Sequence, residues 1–411
     1  MTGHRSLFRP LSLMAVLALI VGACAGPAAS PSVSNMPVSQ PPASQPSSGE
    51  PSASAAAGGY EEFVPDPTLL AAAKAEGTVT TIALPHDWCN YGPRDGYTGP
   101  NVIDVFKERT GLAVNELDPN AGSGDEIEAI KANQNNPGPT APDVIDVGLS
   151  FGPSAKAENL LEPYKVATWE TIPGDAKDQD GYWWGDYYGV LAFEVNTAQV
   201  PNVPQDWSDL LKPEYRNQVA LAGDPRTSNQ AIQAVYAAAL ANGGTLDNAQ
   251  PGLDFFKQLN DAGNLVPTIA TAATVAAGET PITIRWTYNA LASRDATAAS
   301  GGPAIEVVVP TSGRFAGVYV QAISAYAPHK EAAKLWEEFL YSDEGQNIWL
   351  KGYCHPIRYE DLVANNKVPA DQLAKLPDVA GAVFPSLDQL NAATKLITEQ
   401  WDTVVGANIG G

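Results

Sequence analysis

From Thr78 onward, short β-branched runs alternate with helical stretches, and this alternation narrows the possible folds more than any other feature of the chain. Thr78–Leu84 (TVTTIAL) reads as a strand, Val102–Arg109 as a helix stopped by Gly111, and Leu112–Leu117 as a strand. A helix at Asp125–Ala132, the strand Val144–Gly148 and a helix at Ser154–Leu161 follow. Such a βαβα order predicts an α/β fold with a mostly parallel sheet covered on both faces. The aromatic run Gly181–Thr197 (GYWWGDYYGVLAFEVNT) interrupts the pattern, and a second α/β set begins after it. That set comprises Trp207–Leu211, Val219–Leu221, a helix from Ser228, Gly252–Ala262, Pro281–Trp286 and Ile305–Val309. A strand at Gly317–Ser324 and helices at Lys330–Tyr341, from Ser342, and at Leu387–Gln400 complete it. With 411 residues there is enough chain for two cores. No internal repeat is visible.

The first residues do not belong to this globule. Arg5 and Arg9 precede the apolar run Leu11–Val21, which is too short to span a bilayer and has the plan of a secretory signal. The run ends in VGAC, which resembles a bacterial lipobox and so implies cleavage before Cys24 and a lipid on its sulfur. Residues 25–59 contain no aromatic residue and Glu50 as their only charge, so they are expected to form a disordered tether. The formal net charge of −22 argues against nucleic acid as a partner, because a phosphate backbone requires a basic face. Cys24, Cys89 and Cys354 do not form a zinc spacing, and no HExxH, CxxC or EF-hand pattern occurs, so neither a metal nor a cofactor is expected.

Several residues carry possible chemistry. Ala222–Gly244 reads as a helix with Thr227 and Ser228 at its start and Gly243-Gly244 at its end. Arg226 beside that start offers, with the free amides, a seat for a phosphonate, phosphate or carboxylate; equally, it could simply pair with Asp224. Arg285 ends the buried-looking strand Ile282–Trp286 and needs either a protein carboxylate or an anionic ligand. Gly148-Leu149-Ser150-Phe151-Gly152 matches G-x-S-x-G between strand and helix, the context of a hydrolase nucleophile. No HGGG loop accompanies it, and only His329 and His355 follow, so an enzyme is not expected and Ser150 reads as a hydrogen-bonding group for a ligand.

Four passages together resemble the lipid-anchored solute-binding proteins of bacterial ABC importers. They are TIALPHDWCNYG, DVIDVGLSFGPSAKAENLLEPY, WSDLLKPEYRNQVAL, and APHKEAAKLWEEFLYSDEGQ with KGYCHPIR, and they cover most of Thr78–Arg358. The resemblance implies a two-lobed type II periplasmic-binding fold with crossing hinge strands, closing on a small solute handed to a permease complex in the cytoplasmic membrane. The expected divisions are a signal peptide at 1–24, the tether at 25–59, lobe 1 at 60–192 and 311–411, and lobe 2 at 193–310. The last helices are free to pack against lobe 2. An extracytoplasmic, lipid-anchored monomer is implied. Trp88, Asn90, Tyr91, Ser150, Phe151, Tyr187, Arg226, Thr227, Ser228, Arg285, Trp286, Tyr288 and Tyr319 then become candidate ligand contacts, although the aromatic members could equally be core or hinge packing. Relatives bind ferric iron, polyamines, aminoalkylphosphonates, thiamine or sugars. Two arginines in a cleft favour a small organic anion or zwitterion over a polyamine. His86 lies where iron binders place a histidine, but Trp286-Thr287-Tyr288 lacks their tyrosine pair. In the family the segments bearing Cys89 and Cys354 meet in the first lobe, so they are expected either to form a disulfide or to remain as two buried thiols.

Overall fold

The structure is a computed structural model that describes residues 59–94, 97–377 and 379–410. The signal segment, Cys24 and nearly all of the tether therefore lie outside the described residues. In chain order, α1 (Pro67–Glu76), β1 (Thr78–Thr81), α2 (Val102–Thr110), β2 (Ala113–Glu116), α3 (Ser123–Asn133), β3 (Val144–Gly148), α4 (Phe151–Ala157) and β4 (Leu161–Glu162) form the first lobe. The long strand β5 (Trp184–Asn196) crosses to the second lobe, which contains β6 (Val219–Leu221), α5 (Asn229–Ala241), α6 (Gln250–Asp261) and α7 (Ala272–Ala277). β7 (Ile282–Trp286), α8 (Thr287–Ala299) and β8 (Ile305–Val308) complete that lobe, and β9 (Ala316–Ser324) crosses back. After it come α9 (Lys330–Leu340), α10 (Asp343–Lys351), β10 (His355–Pro356), α11 (Tyr359–Ala364), α12 (Ala370–Leu373) and α13 (Leu387–Val404).

The helix boundaries follow capping chemistry. Asn101 accepts the Asp104 amide to open α2, Ser342 accepts that of Gly345 to open α10, and left-handed glycines at 77 and 111 end α1 and α2. Other helices begin without a side-chain cap, among them α4, α5, α6, α8 and α9.

The α/β class and the crossing strands agree with expectation, but the strand directions are less parallel than the βα alternation suggested. Among the named strands of the described residues, the parallel pairs are β1–β2 and β6–β7. β3, β4 and β5 run antiparallel to β9, and β7, β8 and β10 run antiparallel to β5. The cause is the pair of crossing strands: β5 leaves the first lobe and β9 returns to it, so every strand paired with one of them meets a chain running the other way. One path, β3-β9-β5-β7-β6, therefore runs unbroken through both lobes. The expected borders after 192 and 310 fall within β5 and between β8 and β9.

One continuous hydrophobic core, rich in aromatic residues, runs through both lobes. Phe106 packs edge-on to Trp336 at 5.0 Å in the first, and Trp207 lies against Phe193 and Phe255 in the second. The last helix, α13, packs on the second lobe, with Trp401 against Phe256 at 5.7 Å. Among the described residues no helix is long and apolar enough to cross a membrane.

Candidate functional site

A cavity of about 320 Å³ lies between the lobes, beyond the ends of β1, β3, β6 and β7. Open α/β sheets bind ligands at such strand ends. The N-termini of α3 (Gly122, Ser123), α5 (Ser228, Asn229, Gln230) and α7 (Thr271, Ala272) face into it. The first amides of a helix have no intrahelical acceptor, so these ends present N–H donors. Ser228 makes no side-chain cap to α5, and its hydroxyl does not compete for them.

On the first-lobe side, Asp146 sits in the middle of β3, a strand buried along its whole length. Its Oδ2 accepts the hydroxyls of Tyr91 and Tyr187, each at 2.8 Å. Tyr187 also accepts Trp88 Nε1 at 2.7 Å, and Trp88 packs against Tyr288 and Tyr319, each with ring centres 5.5 Å away. Burial pushes the Asp146 carboxyl up to about 6. Burial likewise holds the phenols of Tyr187, Tyr288 and Tyr319 well above their ordinary value.

This cluster depends on a β-bulge. The β5–β9 register runs Gly185↔Val320 and then Tyr188↔Val318, so three steps on β5 oppose two on β9. Neighbouring residues of a regular strand face opposite sides, whereas a bulge re-aims them. Tyr187 therefore reaches the Asp146 carboxyl, while its neighbour Asp186 accepts Gln321 Nε2 at 3.0 Å.

On the second-lobe side, Arg285 is 6% exposed and donates from Nη1 to Glu194 Oε2 at 3.0 Å. Among the described residues its Nε is buried without a partner, and so are both amide atoms of Asn289, in the first turn of α8. Both residues line the cavity. Such unpaired polar atoms are costly in a finished core, and at a cavity wall they are what a solute would satisfy.

Of the expected contacts, Trp88, Tyr187, Thr227, Ser228, Arg285 and Tyr319 line the cavity. Tyr91, Trp286 and Tyr288 stand behind them in the aromatic wall, each fully buried. Asn90 faces away, donating to Ile348 O at 3.1 Å. Ser150 begins α4 with its hydroxyl buried and without a partner, and Phe151 packs on the core. Arg226 is turned from the cavity: Nε bonds Asp224 at 2.8 Å, and Nη2 bonds Asn408 and the Ile409 carbonyl at 3.1 Å. The pairing with Asp224 is thus the one formed, and the far end of the chain takes the rest of the guanidinium. His329 bonds Asp143 at 2.9 Å, and His355 stacks on Tyr188 at 5.0 Å. His86 bonds Glu116 at 2.6 Å at the edge of the first lobe. Cys89 and Cys354 form a disulfide with Cα atoms 5.5 Å apart.

Asp87, Asp125, Glu126, Asp146, Asp224, Asn229 and Asn289 line the cavity without having been expected. One signal was available: a lone acid inside VIDVG needs a partner as much as an arginine inside ITIRW does.

The lobes meet closely at Gly148. A Cβ there would lie 2.1 Å from Asn229 Cγ, and Asn229 is held by Gln233 Nε2 at 2.7 Å. Gly148→Ala is therefore expected to obstruct closure, at about 1–3 kcal/mol of overpacking, while leaving each lobe folded. Calorimetry should show weaker solute binding at an almost unchanged melting temperature of the free protein. Wild-type affinity would show that the contact does not limit closure.

A family profile described as bacterial extracellular solute-binding protein matches residues 140–382, more than half of the chain. A spermidine/putrescine-binding periplasmic protein of Salmonella typhimurium is 23% identical over 289 residues, covering 66% of this chain and 78% of that protein. A probable ABC transporter periplasmic-binding protein of Sinorhizobium fredii is 26% identical over 136 residues, 32% of this chain, and the match spans only 36% of that protein's length. Among solved structures, the periplasmic binding protein AfuA from Actinobacillus pleuropneumoniae, with fructose-6-phosphate bound, superposes with a TM-score of 0.58. Its identity is 21%, over 80% of this chain and 98% of that one. Iron-bound HitA from Pseudomonas aeruginosa gives 0.56 at 16% identity, over 80% and 99%. These structures share the two-lobed fold, and the profile match over more than half of its length makes this chain a member of the bacterial extracellular solute-binding protein family.

Proposed function

We propose that the chain is the substrate-binding receptor of an ABC importer, held outside the membrane by a lipid on Cys24, and that its solute is a small zwitterion such as an aminoalkylphosphonate. The observation that carries this reading is that Asp146 and Arg285, buried groups of opposite charge on different strands, open on one cavity. An ammonium fits against Asp146 among Trp88, Tyr187 and Tyr319, where the carboxylate and the ring faces both favour a cation. The acid group fits against Arg285 Nε, Asn289 and the amide end of α5. The acid half of the originally expected ligand thus rests on Arg285 and not on Arg226. A plain anion suits the cavity less, because it would face Asp146 with no cation of its own. A ferric ion would need ionised phenols, which burial opposes.

A diamine is the second reading. It is favoured by Asp87, Asp125 and Asp224 on the same cavity and by the neutralisation of Arg285 by Glu194. A thermal-shift panel of 2-aminoethylphosphonate, putrescine, a sugar phosphate and ferric citrate separates these cases, since a ligand at 100 times its Kd adds about 2.7 kcal/mol. A shift with the sugar phosphate or the ferric salt alone overturns both amine readings.

Asn289 gives a sharper test. Its amide has no partner to lose among the described residues, so Asn289→Leu should hold or raise the melting temperature of the free protein. Solute affinity should fall by about 1–3 kcal/mol, roughly 5- to 150-fold. Loss of stability with unchanged affinity would make Asn289 a packing residue.

A further inference from the structure

After α13 the chain runs beside two loops of the second lobe that line the cavity. The first lies between β6 and α5 and includes Asp224, Thr227 and Ser228; the second leads into α7 and includes Ile269 and Ala270. Residues 405–410 alternate, with Val405, Ala407 and Ile409 buried and Gly406, Asn408 and Gly410 exposed. The segment is anchored at its start, where the Val405 carbonyl accepts Asn260 Nδ2 at 3.0 Å and the Ala407 carbonyl accepts Trp401 Nε1 at 2.7 Å. It then grips each loop. Arg226 Nη2 donates to Asn408 Oδ1 and to the Ile409 carbonyl, each at 3.1 Å, and the Gly410 amide donates to the Pro267 carbonyl at 2.8 Å. A Cβ on Gly410 would lie 2.7 Å from Ile269 Cδ1, so the segment's main chain rests on a side chain of the cavity lining.

We propose that residues 405–410 are a strap that holds both loops in their solute-binding shape, and that Arg226 is its fastener, a positioning residue and not a solute contact. The inference rests on the receptor reading of the cavity given above. Arg226 suits the task because a planar guanidinium presents donors in several fixed directions at once. Its Nε donates to both Asp224 oxygens, at 2.8 and 3.0 Å, while Nη2 reaches the strap and Nη1 lies 3.4 Å from Asp402 of α13. The Asp224 carbonyl accepts the Thr227 and Ser228 amides at 3.0 and 2.7 Å. The residue that Arg226 grips is therefore the one that shapes the turn into α5. The second loop is tied to β6, since Val266 and Ala270 donate to the Val219 and Leu221 carbonyls at 2.7 and 2.9 Å. One loop follows β6, the other pairs beside it, and the strap joins the two.

Without the strap the loops should open locally more often, and apparent affinity falls by the share of time spent out of the binding shape. Loops that are competent about a tenth of the time bind about tenfold more weakly. Arg226 does not line the cavity, so the loss should be the same for solutes of different charge. In Arg226→Lys a cation remains beside Asp224, but the fork that reaches Asn408 and Ile409 is gone.

The decisive experiment is amide hydrogen exchange of the ligand-free full chain, compared with Arg226→Lys and with a chain ending at Ala407. In both variants the expected result is faster exchange at Thr227 and Ser228 and also at Val266 and Ala270, with the amides of β3 and β9 unchanged. Arg226 bonds neither Val266 nor Ala270, so a purely local role would leave those two amides as they are. Unchanged exchange at Val266 and Ala270 overturns the proposal whether or not any solute is known. If the shortened chain exchanges faster throughout, it has lost its fold and Arg226→Lys alone decides. Calorimetry with 2-aminoethylphosphonate and putrescine supplies the second readout. A loss of about tenfold for each solute that binds the wild type supports the proposal. Unchanged affinity overturns it, and so does a loss for the phosphonate alone, which would make Arg226 a solute contact. If neither amine binds the wild type, the reading of the solute fails, while the exchange result still decides the strap.

Discussion

Replacing Cys354 by serine is expected to cost about 2–5 kcal/mol of stability, with roughly 5 kcal/mol as the chain-entropy figure for so long a closed loop. The bridge to Cys89 spans a sequence separation of 265 residues and ties the loop after β1 to the turn before β10. Both cysteines are fully buried, and a Cβ on Gly352 would lie 2.6 Å from the Cys89 backbone, so the two segments touch along their main chains. Cys89 and Asn90 are consecutive residues in the left-handed region, at φ 46° and 60°, and Tyr353 beside the other sulfur is at 69°. The bridge holds both ends of this tight arrangement, which includes Trp88 at the cavity and the Tyr353 hydroxyl hydrogen bond to Asp295 on α8. Reduction should therefore lower stability and solute affinity together. Urea unfolding of wild type, reduced wild type and Cys354→Ser is the measurement, read as a fall in midpoint at similar slope. Coincident midpoints would mean that packing alone holds the loop.

Asp146→Ala is expected to lower affinity for an amine-bearing solute by about 2–5 kcal/mol, or roughly 30- to 5,000-fold, because it removes the counter-ion and leaves the ammonium buried unpaired. Stability should move in the other direction for Asp146→Asn. A carboxyl raised from its ordinary value to about 6 in the folded state contributes stability fully below the unfolded pKa, and that contribution is lost as pH rises through about 6. Above neutral pH the ionised group therefore burdens the free protein, by roughly 3 kcal/mol if the whole shift is expressed. The asparagine variant should melt at or above the wild-type temperature near pH 7.5, and the gap should narrow as pH falls below about 6 and close only below about pH 4, the unfolded value. Calorimetry of both variants tests the pair of signs, and unchanged affinity in Asp146→Ala would remove the residue from the site.

The fold was readable where local signals were strong. The apolar stripe of α5 and its glycine stop defined a helix whose first turn does reach the cavity, at Thr227, Ser228, Asn229 and Gln230. β3 and β6 were bounded as they occur, Val144–Gly148 and Val219–Leu221. Strand direction was not readable, since hydrophobic pattern marks a strand and not the sense in which it pairs. α8, which begins at Thr287 directly after β7, was missed, and Asn289 was missed with it. The fate of Arg226 depended on Asn408 and Ile409, more than 180 residues away, and no local feature could have chosen between its two partners. The Asp146 cluster was hidden for a similar reason: it requires the β5 bulge, which hydrophobic alternation does not reveal.

That bulged strand also bears on how specificity could change over evolutionary time. β5 carries Tyr187, which donates to Asp146, and seven residues later it carries Glu194, which neutralises Arg285. Both poles of the cavity are thus encoded on one uninterrupted stretch, although they belong to different lobes. A recombinant that joins the first lobe of one relative to the second lobe of another must cut through this strand or inherit it whole. Cut between Tyr187 and Glu194, it would pair an acid floor with a stranger's basic wall. Inherited whole, it would bring one lobe's counter-charges without the groups they match. New ligand preferences in this lineage are therefore expected to arise through substitutions within a lobe, and lobe exchange should succeed only between parents whose β5 residues already agree.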